Sequence, residues 1–550
     1  MSNRPNILLI LNDDMGYSDL GCYGGEARTP KLDGLAGGGI RFTQFSSTPR
    51  CSPSRASLMT GLHPHQVGIG ILTGYDGPDG YEGNLNRNGI TLAELLRAGG
   101  YRTSMSGKWH LMRNDYLVDP DCDSRPEHRG FERYFGTLCG AGNYFSPRMI
   151  VRDGRFIDDE VRNDPDFYYT DAVSDHAVDF IDRHFRETPG QPFFQYVAYT
   201  APHWPLHAKP ADIARYTGRF AAGWDELRRQ RLRRMIDLGL IDPAWQLSPR
   251  DPAVPAWADV PDKPWQERRM EVYAAQIDCM DQGIGRILDA LRRHGQLDNT
   301  LILFLADNGG CAEELSAEWG RQAAGREIGT GPCTPDGRPV RYGNDPDVMP
   351  GDESTYQSYG VEWANLSNTP FRLYKHWTHE GGIATPLIVH WPAGIAARGE
   401  LRHQPGQLTD IMATLVDITG IRYPEEFNGR RILPMEGASL VPVFEGRDRD
   451  VTLLFEHEGN AAVRCGRWKL VRNFTAATSG RGGFDPADRR GGWELYDMDA
   501  DRTESCDVAA AHPRRVAEMA AEYDAWAARC GVIPRDDFLR AAKAWRERRQ

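Results

Sequence analysis

The 550-residue sequence contains no apolar run near the roughly 20 residues that carry a helix through a bilayer. A membrane protein is therefore not expected. Regularly spaced cysteines are missing too. Ten cysteines lie scattered without a CxxC pair, which speaks against a disulfide framework and a zinc site and fits reduced thiols in a large enzyme. Positive charge is in deficit, with 65 Lys and Arg against 77 Asp and Glu and a net charge of −12. That excludes nucleic acid as the main partner, because binding a phosphate backbone needs a basic face. The one dense basic stretch, Arg228-Arg229-Gln230-Arg231-Leu232-Arg233-Arg234, reads as the solvated face of a helix. Internal repeats and low-complexity segments are absent as well. Near the N-terminus, Ile7 to Leu11 is too short for the apolar part of a signal peptide and runs into Asn12, Asp13 and Asp14 rather than a cleavage site. It reads as a buried strand, and the cytoplasm is the expected compartment.

What is present is an alternation of short apolar runs with helical patterns, the mark of an α/β fold whose large, mainly parallel sheet is sandwiched by helices. The strand at Ile7–Leu11 precedes a helix opening at Thr29-Pro30 and ending at Gly37 to Gly39. A helix at Leu92–Arg97 leads into a strand near Tyr101–Met105, and Phe193–Tyr199 is a further strand. Tyr273, Ile277, Met280, Ile284, Leu288 and Leu291 recur at helical spacing and predict a helix over Val272–Arg293 before the strand Leu301–Leu305. Residues 1–445 are assigned to this large domain, with insertions at about 208–268 and 312–368 where Pro, Gly, Asp and Trp accumulate. From 446 to 550 the runs become short and turn-separated, predicting a smaller C-terminal antiparallel-sheet subdomain. It closes with a helix that buries Val516, Met519, Tyr523 and Trp526. The tail from Asp536 to Gln550, with Phe538, Leu539 and Trp545, reads equally as a contact between subunits of a homo-oligomer and as a docked surface helix.

In open parallel sheets ligands bind beyond the carboxyl ends of strands, so polar residues that follow apolar runs are the candidates. Five such clusters occur: Asp13 and Asp14; Lys108 and His110; His203; Asp307 and Asn308; and Lys375, upstream of the strand Leu387–Trp391. Singly, Asp-Asp or Asp-Asn-Gly is an ordinary turn and a lone His or Lys an ordinary surface residue. Recurrence at the ends of several strands of one sheet is not ordinary. Three carboxylates gathered together would repel one another unless a cation sat between them, and oxygen ligands favour a hard ion such as calcium or magnesium.

The segment Cys51-Ser52-Pro53-Ser54-Arg55 opens a helix. Ser52 is expected to cap it, which would set residue 51 at a positively polarised terminus beside the bidentate donor Arg55. The plain alternative is a buried Cys before an ordinary helix. Continued to Leu58-Met59-Thr60-Gly61, the segment resembles the formylglycine signature of the type I sulfatases, in the alkaline-phosphatase-like superfamily. Further stretches are similar to that family in its order: Asn6 to Ile10 with Asp13-Asp14-x-Gly16, Gly107-Lys108-Trp109-His110, Ala201-Pro202-His203, Asp307-Asn308-Gly309, and Lys375 with Glu380-Gly381-Gly382. The tail adds Arg467-Trp468-Lys469-Leu470 and Glu494-Leu495-Tyr496-Asp497. Met112 and His376-Trp377 depart from the usual pattern and bear on the shape of the substrate pocket.

The resemblance implies a sulfuric ester hydrolase whose Cys51 is converted to formylglycine by a formylglycine-generating enzyme. One divalent metal, calcium by family expectation with magnesium and manganese as alternatives, would be held by Asp13, Asp14, Asp307, Asn308 and residue 51. It further implies that Arg55, Lys108 and Lys375 neutralise the sulfuryl oxygens, that His203, with Lys375, protonates the leaving alcohol and that His110 deprotonates the second hydroxyl of the aldehyde hydrate. The substrate would be a small-molecule sulfate monoester of an alcohol or phenol, as in an arylsulfatase. The rivals are a phosphonate monoester or phosphodiester hydrolase of the same superfamily, in which Lys-x-His is typically lost, and a non-catalytic metal-binding relative. Trp204, Trp224, Trp245, Trp257 and Trp265 would either stack on a ring or simply pack.

Overall fold

A computed structural model describes residues 4–74, 77–324, 331–474, 492–538 and 540. At its centre is an 11-stranded sheet. From one edge its order is Glu400–Arg402, Ile40–Ser46, Ala384–His390, Thr300–Ala306, Asn6–Asn12, Phe193–Ala198, Arg102–Gly107, Arg133–Thr137, Ile150–Arg152 and Arg155–Phe156, with Gly406–Gln407 also paired to Ile40–Ser46. The four strands at its middle, beginning at residues 300, 6, 193 and 102, are mutually parallel. Ala384–His390 is antiparallel to both of its neighbours.

The sheet is dry on both sides, and its sequence shows why. Along Asn6–Asn12 successive side chains point to opposite faces, and every residue there is apolar or amide. Leu8 and Ile10 join one hydrophobic core and Ile7, Leu9 and Leu11 the other. The first core is closed by the helices Pro30–Gly37, Tyr169–Glu187 and Lys263–Arg293, the second by Cys51–Thr60, Leu92–Ala98 and Thr409–Thr419. The helix Leu92–Ala98 starts at a reciprocal cap, with Thr91 accepting from the Glu94 amide while Glu94 accepts from that of Thr91.

A separate four-stranded antiparallel sheet, Thr452–His457, Asn460–Cys465, Trp468–Arg472 and Glu494–Asp497, carries the helix Pro513–Cys530 on one face. Met519, Tyr523 and Trp526 fill that contact, while Leu453, Phe455 and Tyr496 on the other face pack with Ile383 of the larger sheet's side. Phe538 lies against the Tyr81 ring, with centroids 5.2 Å apart. Leu539 and Trp545 fall outside the described residues.

Three local expectations need correction. The helix that carries Cys51 begins at that residue itself with Arg50 in the cap position. The Ser52 hydroxyl caps nothing, and the turn is closed instead by Ser54, whose Oγ donates to the Thr48 carbonyl at 3.0 Å. The helix predicted from Val272 starts at Lys263, because Pro264 in its first turn is compatible with helix and Trp265 and Arg269 turn inward. The basic run lies on the helix Gly223–Asp237 but is only half solvated. Arg229 and Arg233 face water beside Glu226, whereas Arg228 and Arg231 share the inward face with Trp224, Leu227 and Met235. Arg231 is neutralised there by Asp19 at 2.8 Å and by Glu26, acids some 200 residues away in sequence that no local pattern reveals. Of the five tryptophans singled out, Trp224 packs on Trp257 and Trp363, and Trp265 is buried under the Arg269 guanidinium.

Candidate active site

The register of the sheet brings the candidate residues together. Asn12 pairs with Ala306, Leu11 with Ala198 and Gly107 with Ala198, so four parallel strands stop at one line. The residues that follow them are Asp13 and Asp14, Asp307 and Asn308, Lys108 and His110, and, after a short loop, His203. Antiparallel Ala384–His390 contributes from its amino end, which puts Lys375 on the same side. Ile40–Ser46 ends there too and delivers the helix Cys51–Thr60. Close approach of chains is required at this edge. A Cβ on Gly309 would stand 1.9 Å from the Gly381 carbonyl oxygen, and one on Gly107, at φ +113°, would stand 2.0 Å from that of Ala198. Asp14 and His110 take positive φ values of 62° and 55°, uncommon for non-glycine residues and characteristic of functional sites.

The cluster is a lattice of opposite charges. Arg55 donates Nε and Nη2 to Asp307 Oδ2 at 3.1 and 2.8 Å, reaches Asp13 Oδ2 at 3.3 Å, and gives Nη1 to the Lys108 carbonyl. Lys108 Nζ donates to Asp13 Oδ2. Lys375 Nζ donates to Asp14 Oδ2 at 2.8 Å, and Asn308 Nδ2 donates to Asp14 Oδ1 at 2.7 Å. His203 Nδ1 lies 2.6 Å from the carbonyl oxygen of Trp204, which it serves as donor, so Nε2 faces Asp14 Oδ2 at 3.3 Å. Eight predicted residues are thus joined directly. Cys51 and His110 share the field without such a bond: the Cys51 thiol faces Lys108, Lys375, Asp13 and Asp307, and His110 faces Lys108, Arg55, Asp13 and His203.

Burial dominates the protonation states. It raises the Cys51 thiol above its ordinary range, against the pull of Lys108 and Lys375. It also pushes His110 well down, an effect that Lys108 and Arg55 reinforce, and so keeps the imidazole neutral. Asp13 is one exception. Burial would raise it, but Lys108, His203, Arg55 and Lys375 together hold it far below the usual carboxylate range. Asp307, buried and crowded by Asp13, moves up to about 7. Burial opposes the Lys375 charge, yet Asp14 and its anionic neighbours keep the ammonium well above its normal pKa.

A divalent cation fits this donor set. Asp13 Oδ1 and Asn308 Oδ1 are buried acceptors without a hydrogen-bond partner, a costly state that an ion between them would relieve. Asp13, Asp14 and His203 each place a ligand atom within 4.8 Å of the others. With the carboxylates ionised, three acids balance Arg55, Lys108 and Lys375. A divalent ion would leave an excess of two positive charges, suited to an anionic substrate.

The candidates read from sequence did not include Arg50, Glu313, His457 and Glu458, which lie beside the cluster. His376, His457 and Glu458 form a second group with metal-ligand atoms within 4.8 Å, but Arg50 Nη1 stands 3.0 Å from His376 Nδ1, so that group already holds a cation of the protein's own. Glu313 comes only five residues after Asn308. Its place in a stretch read as an insertion hid it.

The sulfatase family's sequence model matches residues 5–421, and that of the N-sulphoglucosamine sulphohydrolase C-terminal region matches 371–522. The arylsulfatase of Klebsiella aerogenes is 33% identical over 469 residues, covering 81% of this chain and 93% of its own. An uncharacterised sulfatase of Schizosaccharomyces pombe is 31% identical over 571 residues, with 98% and 96% covered. Among solved structures, one in complex with its substrate D-glucosamine-2-N,6-O-disulfate superposes with a TM-score of 0.62 at 20% identity, over 97% of this chain and 99% of that one. Likeness of this extent, together with acids and bases gathered at one edge of the sheet around Cys51, means that the chain belongs to the sulfatase family, hydrolases of sulfate esters on the alkaline-phosphatase-like fold.

Proposed function

We propose that the protein is an arylsulfatase-type enzyme that cleaves small-molecule sulfate monoesters with formylglycine at position 51. The observation that carries this is the placement of Cys51 at a helix N-terminus within the field of Lys108 and Lys375, opposite the carboxylates of Asp13 and Asp307. Asp13, Asp14, Asp307 and Asn308, with residue 51, would hold one divalent cation, calcium in our reading, with magnesium or manganese as alternatives. When bound, the ion supplies Lewis-acid stabilisation of negative charge developing in the pocket. A formylglycine-generating enzyme is then the maturation partner. As an aldehyde hydrate, residue 51 offers one hydroxyl to displace the alcohol at sulfur and a second whose deprotonation releases sulfate and restores the aldehyde.

The remaining side chains have roles that follow from their surroundings. Arg55, Lys108 and Lys375 neutralise the sulfuryl oxygens from fixed positions, the preorganised electrostatics on which such reactions depend. His203 is oriented by its Nδ1 hydrogen bond to Trp204 and, with Lys375, delivers a proton to the leaving oxygen. Burial lowers the His203 pKa, and Asp14 and Asp13 oppose that by favouring the protonated ring. His110 has a buried Nδ1 without a partner, and burial keeps the ring neutral, so it has a lone pair with which to accept the proton of the second hydroxyl. We place the protein in the cytoplasm without nucleic acid or membrane partners. Ten unpaired thiols support the compartment, and among the described residues no helix is long and apolar enough to cross a membrane.

The test is intact mass of the peptide bearing residue 51 together with sulfate release from 4-nitrophenyl sulfate. An aldehyde mass and calcium-dependent turnover are expected. Full activity with an unmodified thiol would sink the mechanism. Faster cleavage of an aryl phosphonate monoester than of the sulfate would favour the phosphonate hydrolase reading.

A further inference from the structure

Three residues of the candidate site have immediate sequence neighbours that turn to one carboxylate outside it. Arg50 precedes Cys51, Trp204 follows His203 and His376 follows Lys375, and all three meet at Glu313. Glu313 Oε1 accepts from Arg50 Nη1 at 3.0 Å and lies 3.2 Å from His376 Nε2, while its Oε2 accepts from Trp204 Nε1 at 2.9 Å. Glu313 is itself anchored, since its backbone carbonyl accepts from the Ser358 hydroxyl at 2.6 Å. Burial would raise its pKa, but Lys375, Arg50 and His376 hold the carboxyl well below the usual range and so keep it ionised. Of these attractions that of Lys375 is the largest.

Two of the three arms set a group that serves the leaving oxygen. His203 Nδ1 donates to the Trp204 carbonyl at 2.6 Å, which turns Nε2 toward Asp14, and the two rings lie against each other with centroids 4.4 Å apart. Fixing the indole through its Nε1 therefore fixes the residue on which the His203 tautomer depends. Lys375 is held through its backbone. Its amide donates to the Gly310 carbonyl at 3.2 Å, and Leu373 and His376 on either side of it take φ values of 65° and 88°. Left-handed backbone is costly at a non-glycine residue and persists only where the surroundings over-determine it. At His376 they do: its amide donates to the Pro49 carbonyl at 2.8 Å, its carbonyl accepts from Asn460 Nδ2 at 3.0 Å, and its ring lies on Glu313 and Arg50. Asp14 meets the reactive atoms themselves, Lys375 Nζ and His203 Nε2, whereas Glu313 grips the residues next to them.

We propose that Glu313 is a positioning residue for departure of the alcohol: through Trp204 and His376 its carboxylate aims His203 Nε2 and Lys375 Nζ at the oxygen that leaves sulfur. This rests on the roles given above to His203 and Lys375. In that step the S–O bond breaks, its electron pair stays on the ester oxygen, and the proton comes from His203 Nε2. Glu313 neither gives nor takes one. The help it organises matters most where the alcohol is a weak acid, because a good leaving group departs as its anion without a proton.

The experiment measures kcat and KM of the full-length, formylglycine-bearing enzyme on aryl sulfates running from 4-nitrophenyl to phenyl sulfate, whose phenol is the weaker acid. Glu313→Leu removes the hub, and its loss in kcat is expected to be at least about tenfold greater on phenyl than on 4-nitrophenyl sulfate, a part of the roughly 10²–10⁴-fold typical of acid catalysis. KM should change alike on both. Glu313→Gln, which keeps the length and an oxygen for the indole, should recover part of that difference. Trp204→Phe keeps a ring and removes the donor; it should bend the series the same way, and adding it to Glu313→Leu should cost little more. The Trp204 variant also carries the test if Glu313→Leu does not fold. A loss equal along the whole series overturns the proposal, since Glu313 would then act on Cys51 through Arg50 or only on the fold. So do an unchanged kcat in folded Glu313→Leu and losses that multiply when the two changes are combined. No sulfate release by the unsubstituted enzyme from any of these esters is a different failure, that of the reading of the centre itself.

Discussion

Two buried charge clusters of similar composition serve opposite ends in this molecule. One is the proposed active site, with Asp13, Asp14 and Asp307 set among Arg55, Lys108 and Lys375. The other joins the two sheets: Lys469 lies 2.8 Å from Glu380 and 2.7 Å from Glu504, Arg502 pairs with Glu380 at 2.8 Å, and the Arg502 guanidinium carbon is 4.7 Å from the Phe371 ring centroid. Both are dry and electrically balanced. They differ in closure. Glu504 Oε1 and Arg502 Nη2 of the second cluster make no hydrogen bond, but each keeps an ion-pair contact, at 2.7 Å to Lys469 and 2.8 Å to Glu380, whereas Asp13 Oδ1 and Asn308 Oδ1 of the first have neither. Buried acceptors with neither a donor nor a cation on them suit a bound ion or substrate, and ion-paired ones suit a fastener.

The sharpest way to break this contrast is to remove one group from each cluster. Cys51→Ala should reduce sulfate release by roughly 10⁴-fold or more while leaving the unfolding midpoint nearly in place, because a nucleophile is lost and no buried charge is orphaned. A fall in stability to match would deny the division of labour. Lys469→Met should do the reverse, costing about 3–5 kcal/mol in denaturant unfolding by leaving Glu380 and Glu504 face to face, with the active-site chemistry untouched in the protein that remains folded. Stability unchanged in that variant would mean that the fastener holds nothing.

Acid should find the fastener next. Burial would raise Glu380, but Lys469 and Arg502 outweigh it and bring its pKa down to about 2. A carboxylate depressed in the folded state contributes stability that is complete above its unfolded pKa of about 4.5 and is lost as pH falls toward 2. Of the order of 3 kcal/mol should disappear across that window, and a Glu380→Gln variant should show a flatter profile in thermal melts run from pH 5 to pH 2. The smallest effect is expected two residues from Lys469. Arg467 pairs with Asp497 on the surface with half its side chain in water, so Arg467→Ala should leave the unfolding midpoint nearly unchanged. A larger loss there would show that burial is not what separates these pairs.

Much of this was legible in the sequence wherever the signal was local. Strand Asn6–Asn12, the helix face of Tyr273 to Leu291 and the C-terminal helix each carry their period in consecutive residues, and Asp13, Asp14, Asp307 and Asn308 follow their strands at once. The order of motifs around Cys51 pointed to the family before any geometry. Where two residues had to find each other across the chain, the text was silent: Arg231 looked solvated because Asp19 and Glu26 lie far upstream, and Glu313 looked like part of an insertion.

By itself, then, the sequence determined which segments form strands and helices and which side chains stand at their ends, since periodicity and termini are properties of neighbouring residues. Tertiary structure alone decided that Asn12, Ala198, Gly107 and Ala306 share one edge, that Arg50, Trp204 and His376 converge on Glu313, and which buried charges are closed off or left open. The reason is physical. The strength and sign of an interaction between charges depend on their distance and their access to water, and a linear chain fixes neither until its sheet has registered and its helices have sealed the two faces.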